Sequence, residues 1–215
     1  MDGGFDRLTF HGIKSVLLCF FILVGSLFVG CEQTPRKLPI YGQPTFVEGD
    51  TLYPVIPDFA LLAENGDTFN QNQIAGKVYL AEFMFLKCPT VCLKTTAMMA
   101  RLHRDFAADE RFMMLSHTLD PSRDSLSMLR AHAQAQGAQY LRWRFLWGNE
   151  ADMYKLAHAY MIQANRDEMA PGGVLHSGAI LLIDKQKHIR GVYDGTNEQM
   201  YYQIKEDIRR LLEEG

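Results

Sequence analysis

Cys88 and Cys92 carry the clearest chemistry in this chain, within the run Lys87-Cys88-Pro89-Thr90-Val91-Cys92. Residues four apart share a helix face, so the two sulfurs converge if the segment is helical. Pro89 suits the first helical position, where its missing N–H costs nothing. That puts Cys88 at the predicted N-cap and Cys92 one turn in. Unpaired backbone N–H groups and the helix dipole favour negative charge at such an end. Thiols placed there titrate well below their usual range, and Lys87 adds a positive neighbour. The expected state is a thiolate pair, suited to a soft metal ion or to disulfide exchange. Cysteine is also a common core residue. Two of them around a proline at a strand-to-helix junction argue for chemistry instead. A C-x-x-x-C spacing suits two-point chelation at least as well as redox exchange, which C-x-x-C signals more firmly.

The other two cysteines belong to a different part of the chain. Arg7 and Lys14 precede an apolar stretch, Ser15 to Val29, which holds Cys19. That is the layout of a secretory signal. It ends Leu27-Phe28-Val29-Gly30-Cys31, which resembles a bacterial lipobox and makes Cys31 the lipidation candidate. A transmembrane anchor is the alternative, since the run is nearly long enough to span a bilayer. Either way the rest of the chain is expected in the cell envelope, membrane-anchored and facing the periplasm. If the signal is removed, Cys88 and Cys92 remain as a lone close pair, which suggests chemistry more than a disulfide scaffold. The expected division is a signal peptide or anchor over 1–30, a tether over 31–48 and one folded domain over 49–215. The tether is polar and holds Pro35 and Pro39.

The elements that must position the cysteines follow from periodicity and turn residues. An apolar fraction of 47% supports a core without disulfides, and a net charge of -3 with no basic-aromatic stripe excludes nucleic-acid binding. Asn65-Gly66 predicts a hairpin between Pro57–Leu62 and Thr68–Phe69. Val78–Leu86 reads as a buried strand, and Pro89–Asp105 as a helix whose Val91, Thr95, Met98, Met99 and Leu102 share a face. At that spacing Met98 and Met99 are core residues, not ligands. Strand, helix, strand and helix are expected over Arg111–Thr118, Ser122–Gln136, Arg142–Trp147 and Glu150–Tyr160, with Gly137 ending the first of these helices. Ala179–Ile183 and Ile189–Tyr193 read as paired strands, and Glu198–Leu212 as an amphipathic helix. This order predicts an α/β, thioredoxin-like mixed sheet flanked by helices, with an added N-terminal β-hairpin.

With the elements in place, the motifs resemble the Sco/SenC family. Cys88-Pro89-Thr90-Val91-Cys92 follows an apolar strand, and Leu119-Asp120-Pro121-Ser122-Arg123-Asp124-Ser125 stands where that family has a D-P-x-R-D-T segment. Val174-Leu175-His176-Ser177 precedes a strand ending Ile183-Asp184, and Pro57-Asp58-Phe59 with Asn65-Gly66 is a weaker match shared with peroxiredoxins. The resemblance runs from about Asp50 to the C-terminus. It implies copper held by Cys88, Cys92 and His176. It also implies a role in assembling the CuA centre of cytochrome c oxidase, as a metallochaperone, a thiol reductant of the target, or both. The implied partners are cytochrome c oxidase subunit II or another copper enzyme, and thiol-disulfide partner proteins.

The chemistry agrees with that implication. Thiolates select Cu(I), and imidazole suits both Cu(I) and Cu(II). Zinc would normally take a fourth ligand, for which the chain offers no obvious candidate. Among the seven histidines, His117 at a strand end is the best rival to His176, while His103, His132 and His158 are expected to be solvated on helices. Gly172-Gly173 and a following apolar strand favour His176, in the loop that thioredoxin-like folds bring over the active helix. No proline stands between His176 and Ala179, where thioredoxins and peroxiredoxins normally have one. Asp120 either caps the helix after it or supports a ligand or the partner protein. An assembly factor is therefore expected rather than a turnover enzyme. A metal-independent thiol-disulfide oxidoreductase is the alternative. A peroxiredoxin is disfavoured because Phe85 stands where its threonine would be.

Overall fold

The computed structural model describes residues 37–89 and 91–214. The predicted signal or anchor, Cys19 and the lipidation candidate Cys31 lie outside them. First comes an exposed hairpin of β1 (Thr45–Val47) and β2 (Asp50–Leu52), turning at Glu48 and Gly49, both at positive φ. A second hairpin joins β3 (Ala60–Ala63) to β4 (Thr68–Asn70) around Asn65-Gly66, with Gly66 at φ +91°. This is the hairpin that the asparagine-glycine pair predicts.

The long apolar runs become the centre of the fold. They form β5 (Val78–Met84) and, after α1 (Val91–Phe106), β6 (Phe112–Thr118). Every residue of both strands is buried, as a parallel pair covered on both faces requires. Next come α2 (Leu126–Ala135), β7 (Trp143–Trp147) and α3 (Glu150–Ala159). A small separate hairpin follows, β8 (Ala164–Arg166) paired with β9 (Val174–His176). The chain closes with β10 (Ala179–Ile183), β11 (Ile189–Asp194) and α4 (Met200–Glu213).

The main sheet has seven strands in the order β11-β10-β5-β6-β7-β3-β4. β5, β6 and β7 run parallel, and the remaining pairs are antiparallel. This is the expected thioredoxin-like mixed sheet. Alternate residues of β5 feed two cores. Val78 and Leu80 meet Met98, Met99 and Leu102 of α1 and Ile204 and Ile208 of α4. Tyr79, Ala81 and Phe83 join a second cluster with Met153, Leu156 and Ala157 of α3. Met98 and Met99 are thus core residues, as their spacing predicts.

Three local differences from expectation have physical causes. α2 starts at Leu126, and its N-cap is Ser125, whose hydroxyl accepts the Met128 N–H at 3.3 Å. The residues expected as its first turn instead fold back on Asp120, whose carbonyl accepts the N–H groups of Arg123 and Asp124 at 3.0 and 2.9 Å. Asp120 is therefore not the helix cap. Lys37–Tyr41, within the polar tether segment, forms no regular element but is held against the sheet edge. Tyr41 donates its N–H to the Ile189 carbonyl at 2.8 Å, and Arg190 Nη2 donates to the Leu38 carbonyl at 2.8 Å.

Candidate metal centre

β5 delivers the chain to the site at the end of the sheet. After Met84 a turn through Leu86-Lys87 brings the Cys88 N–H onto the Phe85 carbonyl at 3.2 Å. The buried Asp124 carboxylate accepts the Leu86 N–H at 3.1 Å and the Thr118 hydroxyl at 2.6 Å, fixing that turn. α1 begins at Val91, so Cys88 lies ahead of the helix and is not its N-cap, while Cys92 falls in the first turn. The Cys92 N–H still donates to Cys88 Sγ at 3.4 Å. A free helix-end N–H therefore points at the first sulfur, which is the interaction that makes helix N-termini attract electron-rich groups. Both cysteines are unbonded thiols, 6% and 5% exposed.

The third group arrives from the β8–β9 hairpin, whose register pairs Ala164 with His176. His176 Nε2 stands 3.4 Å from Cys92 Sγ and 3.8 Å from Cys88 Sγ. Its Nδ1 lies 3.0 Å from the Ser177 carbonyl oxygen. A carbonyl only accepts, so that contact assigns the ring proton to Nδ1 and leaves the Nε2 lone pair facing the sulfurs. Metal-binding histidines use the same device, a backbone carbonyl behind the ring that fixes tautomer and orientation. One atom from each residue can be chosen so that all three lie within 4.8 Å of one another, the only such group of three or more among the described residues. Phe85 packs edge-on against the imidazole, with ring centroids 5.4 Å apart. Gly178 sits where a Cβ would come 2.9 Å from Thr196 Cγ2 and 3.3 Å from Thr95 Cγ2. The link from His176 into β10 therefore lies directly on the first turns of α1, an approach that a side chain at 178 would block.

Burial dominates the electrostatics. It pushes the Cys92 thiol well above its ordinary pKa, and the hydrogen bond with Cys88 adds to the rise. The expectation of a lowered pKa from the helix end is overturned at Cys92, because losing water outweighs the helix N–H groups. Burial likewise holds the His176 pKa below its usual value, opposed by the bond to the Ser177 carbonyl. The metal-free site thus keeps its thiol proton at Cys92 and a neutral imidazole. Such a site loads a soft cation by giving up thiol protons. Glu82, on β5, adds to the rise at Cys92. It is 1% exposed, accepts the Ser116 hydroxyl at 2.7 Å, and is pushed up to about 7 by its burial.

The rival histidines lie elsewhere. His117 is buried against Phe83 and Tyr160, with Nδ1 3.2 Å from the Glu82 carbonyl, and burial lowers it to about 4. It is not among the three clustered groups. His158 is exposed, as expected. His103 is not solvated; it is buried and its Nε2 accepts the Gln139 N–H at 3.2 Å. His132 is half-buried. Asp120 is fully buried and does not reach the sulfurs or the imidazole by any hydrogen bond among the described residues. Its carboxylate pairs with Arg123 and, at 2.9 Å, with Arg166 of β8. Arg123, which stands in the D-P-x-R-D-T-like segment with no role implied there, and Arg166, which lies outside every motif, connect that loop to the histidine hairpin.

The SCO1/SenC family model matches residues 48–213. A SCO2-like protein of Rickettsia typhi is 26% identical over 189 residues, covering 83% of this chain and 88% of the relative. Among solved structures, a SCO1/SenC family lipoprotein from Bacillus anthracis superposes with a TM-score of 0.68 at 28% identity, over 74% of this chain and 95% of that one. Bradyrhizobium japonicum ScoI with copper bound shares the fold, with a TM-score of 0.62 at 19% identity, over 73% of this chain and 99% of the other. With the matched region running from the turn after β1 to the last turn of α4, this chain belongs to the SCO1/SenC family.

Proposed function

We propose that this chain is a copper-binding assembly factor of the cell envelope that holds Cu(I) or Cu(II) on Cys88, Cys92 and His176. Its service is to the CuA centre of cytochrome c oxidase, through subunit II, or to another copper enzyme. One observation carries the reading: the Ser177 carbonyl holds the Nδ1 proton, so the His176 Nε2 lone pair faces both sulfurs at 3.4 and 3.8 Å. The donor set fits the ion, since two soft sulfurs favour Cu(I) and the imidazole tolerates both oxidation states. Burial of both sulfurs limits access by water and larger oxidants. Asp120 supports the site from behind through Arg123 and Arg166. Residues 1–30 serve as a signal whose removal leaves Cys31 as the lipid attachment point, or else stay as a membrane anchor; in either case residues 31–48 tether the domain so that it faces the periplasm.

The test is metal content and copper spectroscopy of the purified full chain. One copper per chain is expected. Cys88→Ser and Cys92→Ser should each abolish tight binding with the fold intact, and His176→Ala should weaken it less because both sulfurs remain. A stoichiometric site retained in the double cysteine variant would contradict the assignment. A second reading uses the same pair for thiol-disulfide exchange with partner proteins, favoured by two reduced sulfurs brought together at the start of α1, where the Cys92 N–H donates to Cys88 Sγ. Catalytic disulfide reduction by metal-free protein, without tight copper binding, would put that reading first.

A further inference from the structure

The loop between β6 and α2 reaches both parts of the site at once. On one side Asp124 holds the Leu86 N–H, two residues before Cys88. On the other, Asp120 accepts Arg166 Nη2 at 2.9 Å and the Ser122 hydroxyl at 3.0 Å through Oδ1, while its Oδ2 pairs with Arg123 Nε. Arg123 then extends its Nη2 to the Gly172 carbonyl at 2.5 Å. Gly172 opens the turn into β9, at φ +83°, and Arg166 is the register partner of Val174 in that hairpin. A Cβ at Gly172 would meet the Phe85 ring at 2.6 and 2.9 Å and the Lys87 carbonyl oxygen at 3.3 Å. The histidine hairpin is thus seated on the cysteine turn at Gly172, with Arg123 gripping the same residue from the other side.

We propose that Arg123 is the positioning residue of the third ligand: anchored on buried Asp120, it holds the β8–β9 hairpin closed on the cysteine turn and so sets the distance from His176 Nε2 to the two sulfurs. This rests on the three-ligand copper reading and adds the part that makes the third ligand dependable. Lysine cannot replace it fully, because one planar guanidinium serves the carboxylate and the carbonyl with separate N–H groups. Side chains that orient a metal ligand typically contribute about tenfold or more in affinity. Arg166 still faces Asp120 when Arg123 is gone, so the buried carboxylate is not left alone and the fold survives.

The experiment compares Arg123→Met, Arg123→Lys, His176→Ala and the double variant Arg123→Met with His176→Ala, all in the full chain, by two readouts. The first is Cu(II) affinity with the nitrogen signature in its electron paramagnetic resonance spectrum. Arg123→Met should lose about tenfold in affinity and weaken the imidazole nitrogen signature while keeping sulfur-to-copper charge-transfer absorption. Arg123→Lys should fall between it and the parent. In the double variant the Arg123 change should cost nothing further, because the ligand it positions is already absent. The second readout needs no metal: alkylation of the reduced cysteines, which His176 covers, should speed up several-fold in Arg123→Met and equally in His176→Ala. If the parent binds no copper, the function above fails while the alkylation arm still decides the clamp. Parent-like alkylation in Arg123→Met, or full additivity of the two substitutions in copper affinity, would overturn the proposal and leave Arg123 with a merely structural role.

Discussion

Replacing Glu82 by glutamine should flatten the pH dependence of folding stability between about pH 5 and 8. Glu82 is buried in the sheet with Oε1 bonded to Ser116, while Oε2 has no partner. Its carboxyl titrates at about 7 in the fold instead of 4.5. Below the lower value both folded and unfolded chains are protonated and the group costs nothing. Between the two the unfolded chain ionises while the fold keeps its proton, so stability falls as pH rises. Above the upper value both are ionised and the penalty is complete, about 3 kcal/mol for a shift of this size. Glutamine keeps an acceptor for Ser116 and cannot ionise, but puts an NH2 where Oε2 had no partner, at a pH-independent cost of about 1 kcal/mol. His117 works in the opposite direction, since burial lowers it to about 4 and stability is lost as pH falls. It is present in both proteins and cancels in their difference. Urea unfolding of metal-free parent and Glu82→Gln at several pH values, read by circular dichroism, measures that difference. It should move by about 2.5 kcal/mol in favour of glutamine from pH 5 to pH 8, since part of the penalty is already present at pH 5. A difference independent of pH would refute the reasoning and show that Glu82 is solvated or ionised in the fold.

Two further outcomes follow from the same geometry. Glu64→Ala should cost about 3–5 kcal/mol, because it strips the nearly buried Arg144 of a partner at 3.0 Å and the Phe145 N–H of its acceptor at 2.9 Å; a loss under about 1 kcal/mol in urea unfolding would mean the pair behaves as a surface ion pair. Copper uptake should tighten as pH rises from 6 to 8, since burial keeps the Cys92 thiol protonated and binding must expel that proton; an affinity flat over this range would show that the thiol is already ionised.

Patterns that repeat within a few residues were legible without coordinates. The continuous apolar runs at Val78 and Arg111 end within two residues of the strands they predict, and Asn65-Gly66 marks its hairpin. The convergence of two sulfurs was readable from their spacing, and that of His176 from the family resemblance. What escaped depends on partners distant in sequence. β8 and β9 are three-residue strands with no alternating pattern, and they pair only because the turn between them is seated against Phe85 and Arg123. The raised Cys92 pKa escaped because nothing in Cys-Pro-Thr-Val-Cys shows how completely His176 and Phe85 would cover the sulfur. His103 looks polar beside Arg104, yet it shares a face with Met99 and Phe106 and is buried. Asp120 and Pro121 look like a helix start. Buried carboxylates at 120 and 124, each engaged by side chains, hold a turn there instead and delay the helix to Leu126.

Cys88 and His176 are separated by 88 positions along the chain. An ion gripped by both would close nearly half the domain into one loop, as a removable staple does. By chain entropy alone such a closure restricts the unfolded state by about 4.6 kcal/mol. Loading and unloading would then change more than cargo. A filled molecule would be the stiffer and more protease-resistant one, and handing its ion over would loosen the giver at the moment of delivery, favouring its departure.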